Sequence, residues 1–233
     1  VKILDKGNKY SNILGWLTFL ITSIALYMVF NYAPKERVMG QIQRLFYFHV
    51  AAAWIAFFAF FVVFIASIIY LKNRSTFWDT FGLASAEIGV IFTTIVLITG
   101  PIWAKPIWNA WWTWDPRLTT TLVLWFIYIA YIIIRASADE SEKQARFAAI
   151  FGIIGFIDVP IVFMSIRWWR TIHPQVLESG SLNLAPEMIQ TLLVSILAFT
   201  FLYIYLLLRR VKVEMLKNKV KELKEVLRDQ QYN

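Results

Sequence analysis

The chain contains no cysteine. That excludes disulfides, thiolate metal sites, thiol nucleophiles and attachment of a prosthetic group through a CxxCH motif. Charge is scarce as well: Asp, Glu, Lys and Arg make up 16% of the 233 residues, whereas soluble domains carry roughly a quarter. Histidine is reduced to two residues, His49 and His173. No GxxxxGK[ST] phosphate-binding loop occurs, so nucleotide hydrolysis cannot rest on that motif here.

Apolar side chains fill the space left by charge. They reach 59% of the chain, and the mean hydropathy is +0.58. They fall in blocks long enough for a hydrocarbon layer about 30 Å thick, which takes about 20 residues of helix. Because backbone polar groups must be satisfied inside lipid, such blocks imply helices. The expected fold is an all-α integral membrane protein of six transmembrane helices in one domain, residues 1–208. The spans are expected at 13–33, 45–71, 81–100, 118–134, 147–166 and 188–208. The first run is too long for a removable signal peptide, and its flank lacks a small-residue cleavage site.

Lysine and arginine orient the spans. Sixteen of the 23 basic residues lie in the N-terminus, 72–80, 135–146 and the tail from 209; seven lie in 34–44, 101–117 and 167–187. Both termini are therefore expected on the cytoplasmic side of the cytoplasmic (inner) membrane. The net charge of +8 sits at membrane boundaries, which argues for lipid headgroups and against nucleic acid. The tail 209–233 is read as a basic helix, with Leu216, Val220, Leu223 and Leu227 at helical spacing. It either continues the last span over anionic lipid or docks a cytoplasmic partner.

The outer side carries the unusual residues. Trp103, Trp108, Trp111, Trp112 and Trp114 fall within 101–119, followed by Asp115 and Arg117, and Trp168 and Trp169 open the next outer segment. An interfacial aromatic belt would populate both faces; a one-sided cluster of indoles suits a flat apolar ligand. Pro101 and Pro106 are expected to end the third helix and leave 101–119 as a loop. Pro116 should open the fourth helix, with Asp115 as its cap.

His49 and His173 are expected on the same outer face. Each is either a hydrogen-bonded packing residue or a ligand, and two imidazoles could hold a haem iron from opposite sides. Arg44, Arg117, Arg167 and Arg170 are candidate partners for the two propionates of haem, or else lipid anchors. Glu87 and Asp158 lie within spans, where carboxyls mark either an ion pathway or a hydrogen-bonded packing site. Pro160 predicts a kink beside Asp158.

With those residues in hand, the chain resembles the CcmC family of haem-handling membrane proteins in cytochrome c maturation. Residues 108–119, WNAWWTWDPRLT, look like the family's WWD signature, and 100–106, GPIWAKP, resemble the approach to it. Residues 47–54, YFHVAAAW, are similar to the first histidine segment, and 160–173, PIVFMSIRWWRTIH, to the second. The pattern departs at Ala51, Asn109, Asp158 and Pro174. Larger relatives, the CcmF lyase and the CcsA-type synthase, share the signature but have more spans and histidines.

The resemblance implies a non-enzymatic role. Haem b, as transient cargo, would be held at the outer face by His49 and His173. Trp103, Trp108, Trp111, Trp112, Trp114, Asp115, Trp168 and Trp169 would form its platform and the docking surface for the haem chaperone CcmE. The implied assembly includes CcmB, CcmD and the ATPase CcmA. Rival classes are a haem transporter acting through this chain, a structural scaffold for the ATPase complex, and a membrane enzyme using the histidines as acid and base. For the enzyme, no nucleophile–base–orienter set is evident.

Overall fold

The computed structural model describes residues 2–37, 39–136, 142–170, 177–178, 181–182 and 184–232. Among the described residues, seven α-helices run in the order α1 (Lys2–Tyr27), α2 (Arg44–Asn73), α3 (Thr76–Trp108), α4 (Pro116–Ala136), α5 (Glu142–Phe156), α6 (Asp158–Trp168) and α7 (Pro186–Tyr232). A π turn over Met28–Tyr32 extends α1, and a 3-10 turn over Gln41–Gln43 precedes α2. Leu177–Glu178 and Ser181–Leu182 pair as a two-residue antiparallel ladder.

Among the described residues, six stretches are long and apolar enough to cross a membrane: Ser11–Tyr32, Gln41–Asn73, Thr76–Trp108, Pro116–Ala136, Glu142–Trp168 and Pro186–Gln230. The fifth combines α5 and α6, which part at Ile157; Pro160 follows as the third residue of α6. The break thus falls three residues before the proline, where the first-turn N–H groups of a helix have no intrahelical partner to lose.

One expectation is overturned. Pro101 and Pro106 do not end the third helix; both lie inside α3, which continues to Trp108. A proline removes one backbone bond, and in an apolar span an interrupted helix would expose more unsatisfied groups than a continuous one. The WWD loop expected at 101–119 shrinks to residues 109–115, with Trp103 and Trp108 on helix. Asn109 closes α3 in the left-handed region, at φ +54°. Asn tolerates that conformation better than other residues with a side chain. Lys105 Nζ seals the helix end by donating to Asn109 O and Oδ1 at 3.2 and 3.0 Å.

Small residues bring the central helices together. Ala52, Ala56 and Ala59 of α2 are buried against Ala84, Ile88 and Phe92 of α3 and Tyr203 and Leu207 of α7. A Cβ added at Gly89 would come within 2.6 Å of the Phe60 ring, so that crossing requires glycine. Phe60 stacks on Tyr128 of α4 with ring centroids 3.7 Å apart. Ser85 Oγ donates to Ala59 O at 2.7 Å, which leaves it to accept from Tyr203 Oη at 2.8 Å. That chain of two bonds ties α2, α3 and α7 through otherwise dry surroundings.

Candidate functional site

The helical period places a row of side chains on one face of α3. Thr93, Val96, Gly100, Trp103, Ala104 and Trp108 recur at intervals of one to four residues and line one cavity of about 240 Å³. His49, Ala53 and Phe57 of α2 face them, and Trp112, Arg117, Thr121 and Arg167 complete the walls. The lining is overwhelmingly apolar, as expected of a pocket for a hydrophobic ligand with a few placed polar groups.

His49 is half-buried, with Nδ1 2.8 Å from Thr99 Oγ1. The hydroxyl has one proton, and it is directed at Ile95 O, 2.7 Å away. Thr99 therefore accepts from the imidazole, which puts the ring proton on Nδ1 and the lone pair on Nε2. This is the arrangement in which an imidazole ligates metal, its other nitrogen donating to an outer partner.

Asp115 is buried and acts as the cap. Its Oδ1 accepts from the backbone N–H of Arg117 at 2.9 Å, and its carbonyl accepts from Thr119 N at 2.9 Å. Pro116 opens α4 behind it. The cap fixes the entry of α4, and hence Arg117, beside the cavity.

The indoles divide into two sets. Trp103, Trp108 and Trp112 line the cavity. Trp111 and Trp114 are 59% and 76% exposed, and Trp168 and Trp169 are 58% and 50% exposed. Six of the seven meet edge to face, in pairs: Trp103 with Trp108 at 5.5 Å, Trp112 with Trp114 at 5.7 Å, Trp168 with Trp169 at 5.8 Å. The cluster thus consists of three indoles that line a cavity and four that are exposed outside its lining.

The four arginines separate in the same way. Arg117 and Arg167 reach the cavity. Arg167 is exposed, with its guanidinium 5.5 Å from the Phe163 ring centroid. Arg44 lies over Phe30 at 5.4 Å, away from the cavity lining, and Arg170 is exposed outside it. His173 and Pro174 lie outside the described residues, so the second proposed ligand has no position to report.

Whether haem fits can be judged from the donors. Trp103 Nε1 and Trp112 Nε1 are buried without a hydrogen-bond partner among the described residues. A buried N–H left unmatched costs about 1–3 kcal/mol. Two such donors beside two guanidinium groups form a surplus that a ligand bearing carboxylates would satisfy. Apolar walls, an oriented imidazole and that surplus suit a porphyrin with propionates.

Glu87 and Asp158 do not join this site. Glu87 accepts from Arg210 Nε and Nη2 at 2.6 and 2.9 Å, and Arg210 also holds Glu214 at 2.6 Å. These groups line a separate polar cavity of about 560 Å³, together with Asp79 and Arg135, which pair at 2.6 Å. Asp158 Oδ2 is buried with no hydrogen-bond partner among the described residues. Sequence reasoning missed Thr99 and the Asp79–Arg135 pair. The available signal was a hydroxyl directly before Gly100-Pro101, and an acid and a base at the ends of neighbouring spans.

Comparison with known proteins returns one consistent answer. The CcmC family profile, described as heme exporter protein C, matches residues 2–226. A heme exporter protein C of Bradyrhizobium diazoefficiens is 34% identical over 91% of this chain and 82% of its own length. That of Escherichia coli K12 is also 34% identical, over 86% and 84%. A Marchantia polymorpha protein named as a putative cytochrome c biosynthesis ccmC-like mitochondrial protein is 35% identical over 71% and 70%.

Proposed function

Because the chain belongs to the CcmC family, we propose that it binds haem b in the cavity beside His49 and hands it to the haem chaperone CcmE. The relatives' names put haem handling in cytochrome c maturation, and the six spans make this a multi-pass membrane protein. In this reading the site faces the outer, periplasmic side of the inner membrane, an orientation supported by the excess of basic residues in the opposite segments.

The observation that carries this reading is the His49–Thr99 bond at 2.8 Å on the wall of an indole-lined cavity. The walls of α2 and α3 remove the macrocycle face from water. Nε2 of His49 would supply one iron ligand, and His173, as the resemblance to the family implies, would supply the other. Arg117 and Arg167, with the indole N–H groups of Trp103 and Trp112, neutralise and bind the propionates. Every one of these bonds is non-covalent or dative, so the cargo can leave.

Trp111, Trp114, Trp168 and Trp169 then serve release. Exposed aromatics at a rim are typical anchors for a partner, and CcmE docks there to meet the haem edge. The role is not enzymatic. CcmA hydrolyses ATP for the complex, and CcmB and CcmD complete the membrane part.

The test is a handover assay. Haem-loaded protein in nanodiscs is mixed with apo-CcmE, and haem is followed on both proteins. The reading expects one-for-one loss and gain, slowed in a Trp111→Ala, Trp114→Ala variant that still binds haem. Haem that never reaches CcmE, or protein that never acquires haem, would overturn it.

A further inference from the structure

Helix α7 does not stop at the end of its membrane span. It runs unbroken from Pro186 to Tyr232, and no glycine or proline follows Pro186 in the chain. At about 1.5 Å per residue, the 24 residues from 209 to 232 project about 36 Å past the expected span. A helix that continues its own span in this way stands off the bilayer, so the lipid-surface reading of the tail loses its geometry.

Along that projection Val213, Leu216, Val220, Leu223 and Leu227 follow one another at intervals of three and four. This is the seam of a heptad repeat, with Val213, Val220 and Leu227 at a and Leu216 and Leu223 at d. All five are exposed, from 45% at Val220 to 60% at Leu227. Helix α1 packs on α7 lower down, where Gly15 meets Tyr205, yet it leaves Val213 and Leu216 each 59% exposed. The inward face of the same stretch is occupied: Arg210 and Glu214 line the polar cavity, joined by Lys217, which pairs with Glu214 at 3.4 Å yet keeps 68% of its side chain exposed at the flank of the seam, and no seam residue lines the cavity.

The flanks of the seam decide what can cover it. The e and g positions between 212 and 226 are Lys212, Lys217, Lys219, Lys224 and Val226. None is acidic. A parallel second copy would set Lys219 against Lys224 across the seam, like charge on like. A helix with glutamate or aspartate at its flanking positions would meet lysine on both sides.

We propose that residues 213–227 form one half of a two-helix coiled coil whose other half is an acidic amphipathic helix of a partner protein. The occupant is neither lipid nor a second copy of this chain. The seam would serve to recruit that partner beside the membrane, independently of the haem cavity.

The test uses the full chain in neutral phosphatidylcholine nanodiscs. The probes are two synthetic helical peptides with valine and leucine at a and d, one with glutamate and one with lysine at every e and g. The acidic peptide is expected to bind at least tenfold more tightly, and its binding should weaken as salt rises. Leu216→Glu with Leu223→Glu should abolish it. The triple variant Lys217→Glu, Lys219→Glu, Lys224→Glu should reverse the preference toward the basic peptide, which a misfolded tail could not do. Equal binding, no binding, or an unreversed preference overturns the proposal. The absence of native cysteine allows a single spin label at Val220→Cys. Immersion of that label in the bilayer when the nanodiscs are made instead with anionic lipid, or label-to-label proximity between copies, also overturns it by naming the other occupant.

Discussion

His49 Nδ1 lies 2.8 Å from Thr99 Oγ1, and Thr99 gives its own proton to Ile95 O. The hydroxyl therefore fixes both the tilt and the tautomer of the imidazole. Thr99→Val keeps the shape and removes the acceptor. Haem affinity should fall about 10–100-fold, the usual effect of losing an outer partner of a metal ligand, and Thr99→Ser should restore it. Haem titration followed by absorption checks both.

Arg117 and Arg167 are assigned to the propionates because they alone of the four candidate arginines line the cavity. Replacing Arg117 with Gln should weaken haem binding by about 1.5–3 kcal/mol, the range for hydrogen bonds to charged groups. Haem dimethyl ester, which has no propionate charge, should bind wild type and variant alike. An equal loss with both ligands would mean that Arg117 supports the fold and not the carboxylate. Arg44→Gln and Arg170→Gln should leave haem affinity unchanged.

The Asp115 cap can be separated from any direct role in docking. Asp115→Ala should lower stability by about 1 kcal/mol, as loss of an N-cap does, and should disturb the Trp112 and Trp114 fluorescence. Asp115→Asn retains an oxygen for the Arg117 N–H and should recover both. Thermal unfolding in detergent, followed by tryptophan emission, reads the two effects together.

Glu87 is bound to Arg210 at 2.6 Å in the polar cavity away from the indoles. An ion pathway would make it indispensable to transfer. The ion pair instead predicts that Glu87→Gln leaves the haem spectrum and the handover rate unchanged. Stability should drop by no more than about 1 kcal/mol, given that the pair is partly solvated.

Composition made the six spans legible, because hydrocarbon thickness demands a length of apolar helix that few other folds supply. Of the candidate site, the residues that share a cavity were more legible than its shape. His49, Trp103, Trp108, Trp112, Arg117 and Arg167 do converge on one cavity. Three things stayed hidden. Proline rules drawn from water overestimated the break at Pro101 and Pro106, since lipid penalises an interrupted helix and α3 continues. Which indoles face inward depends on the phase of α3 and on the turn at Asn109, and local sequence does not set that phase. Thr99 escaped because its role exists only once α2 and α3 are side by side. Ala56 and Ala59 allow that approach, as does the absence of a side chain at Gly89.

The central claim is that His49 ligates haem iron within the indole-lined cavity. Its most direct test is the absorption spectrum of protein purified from haem-replete membranes, compared with His49→Gly before and after adding imidazole. The account predicts an altered or lost haem spectrum in the variant and recovery with imidazole. A spectrum and haem stoichiometry identical to wild type in His49→Gly without imidazole would contradict it.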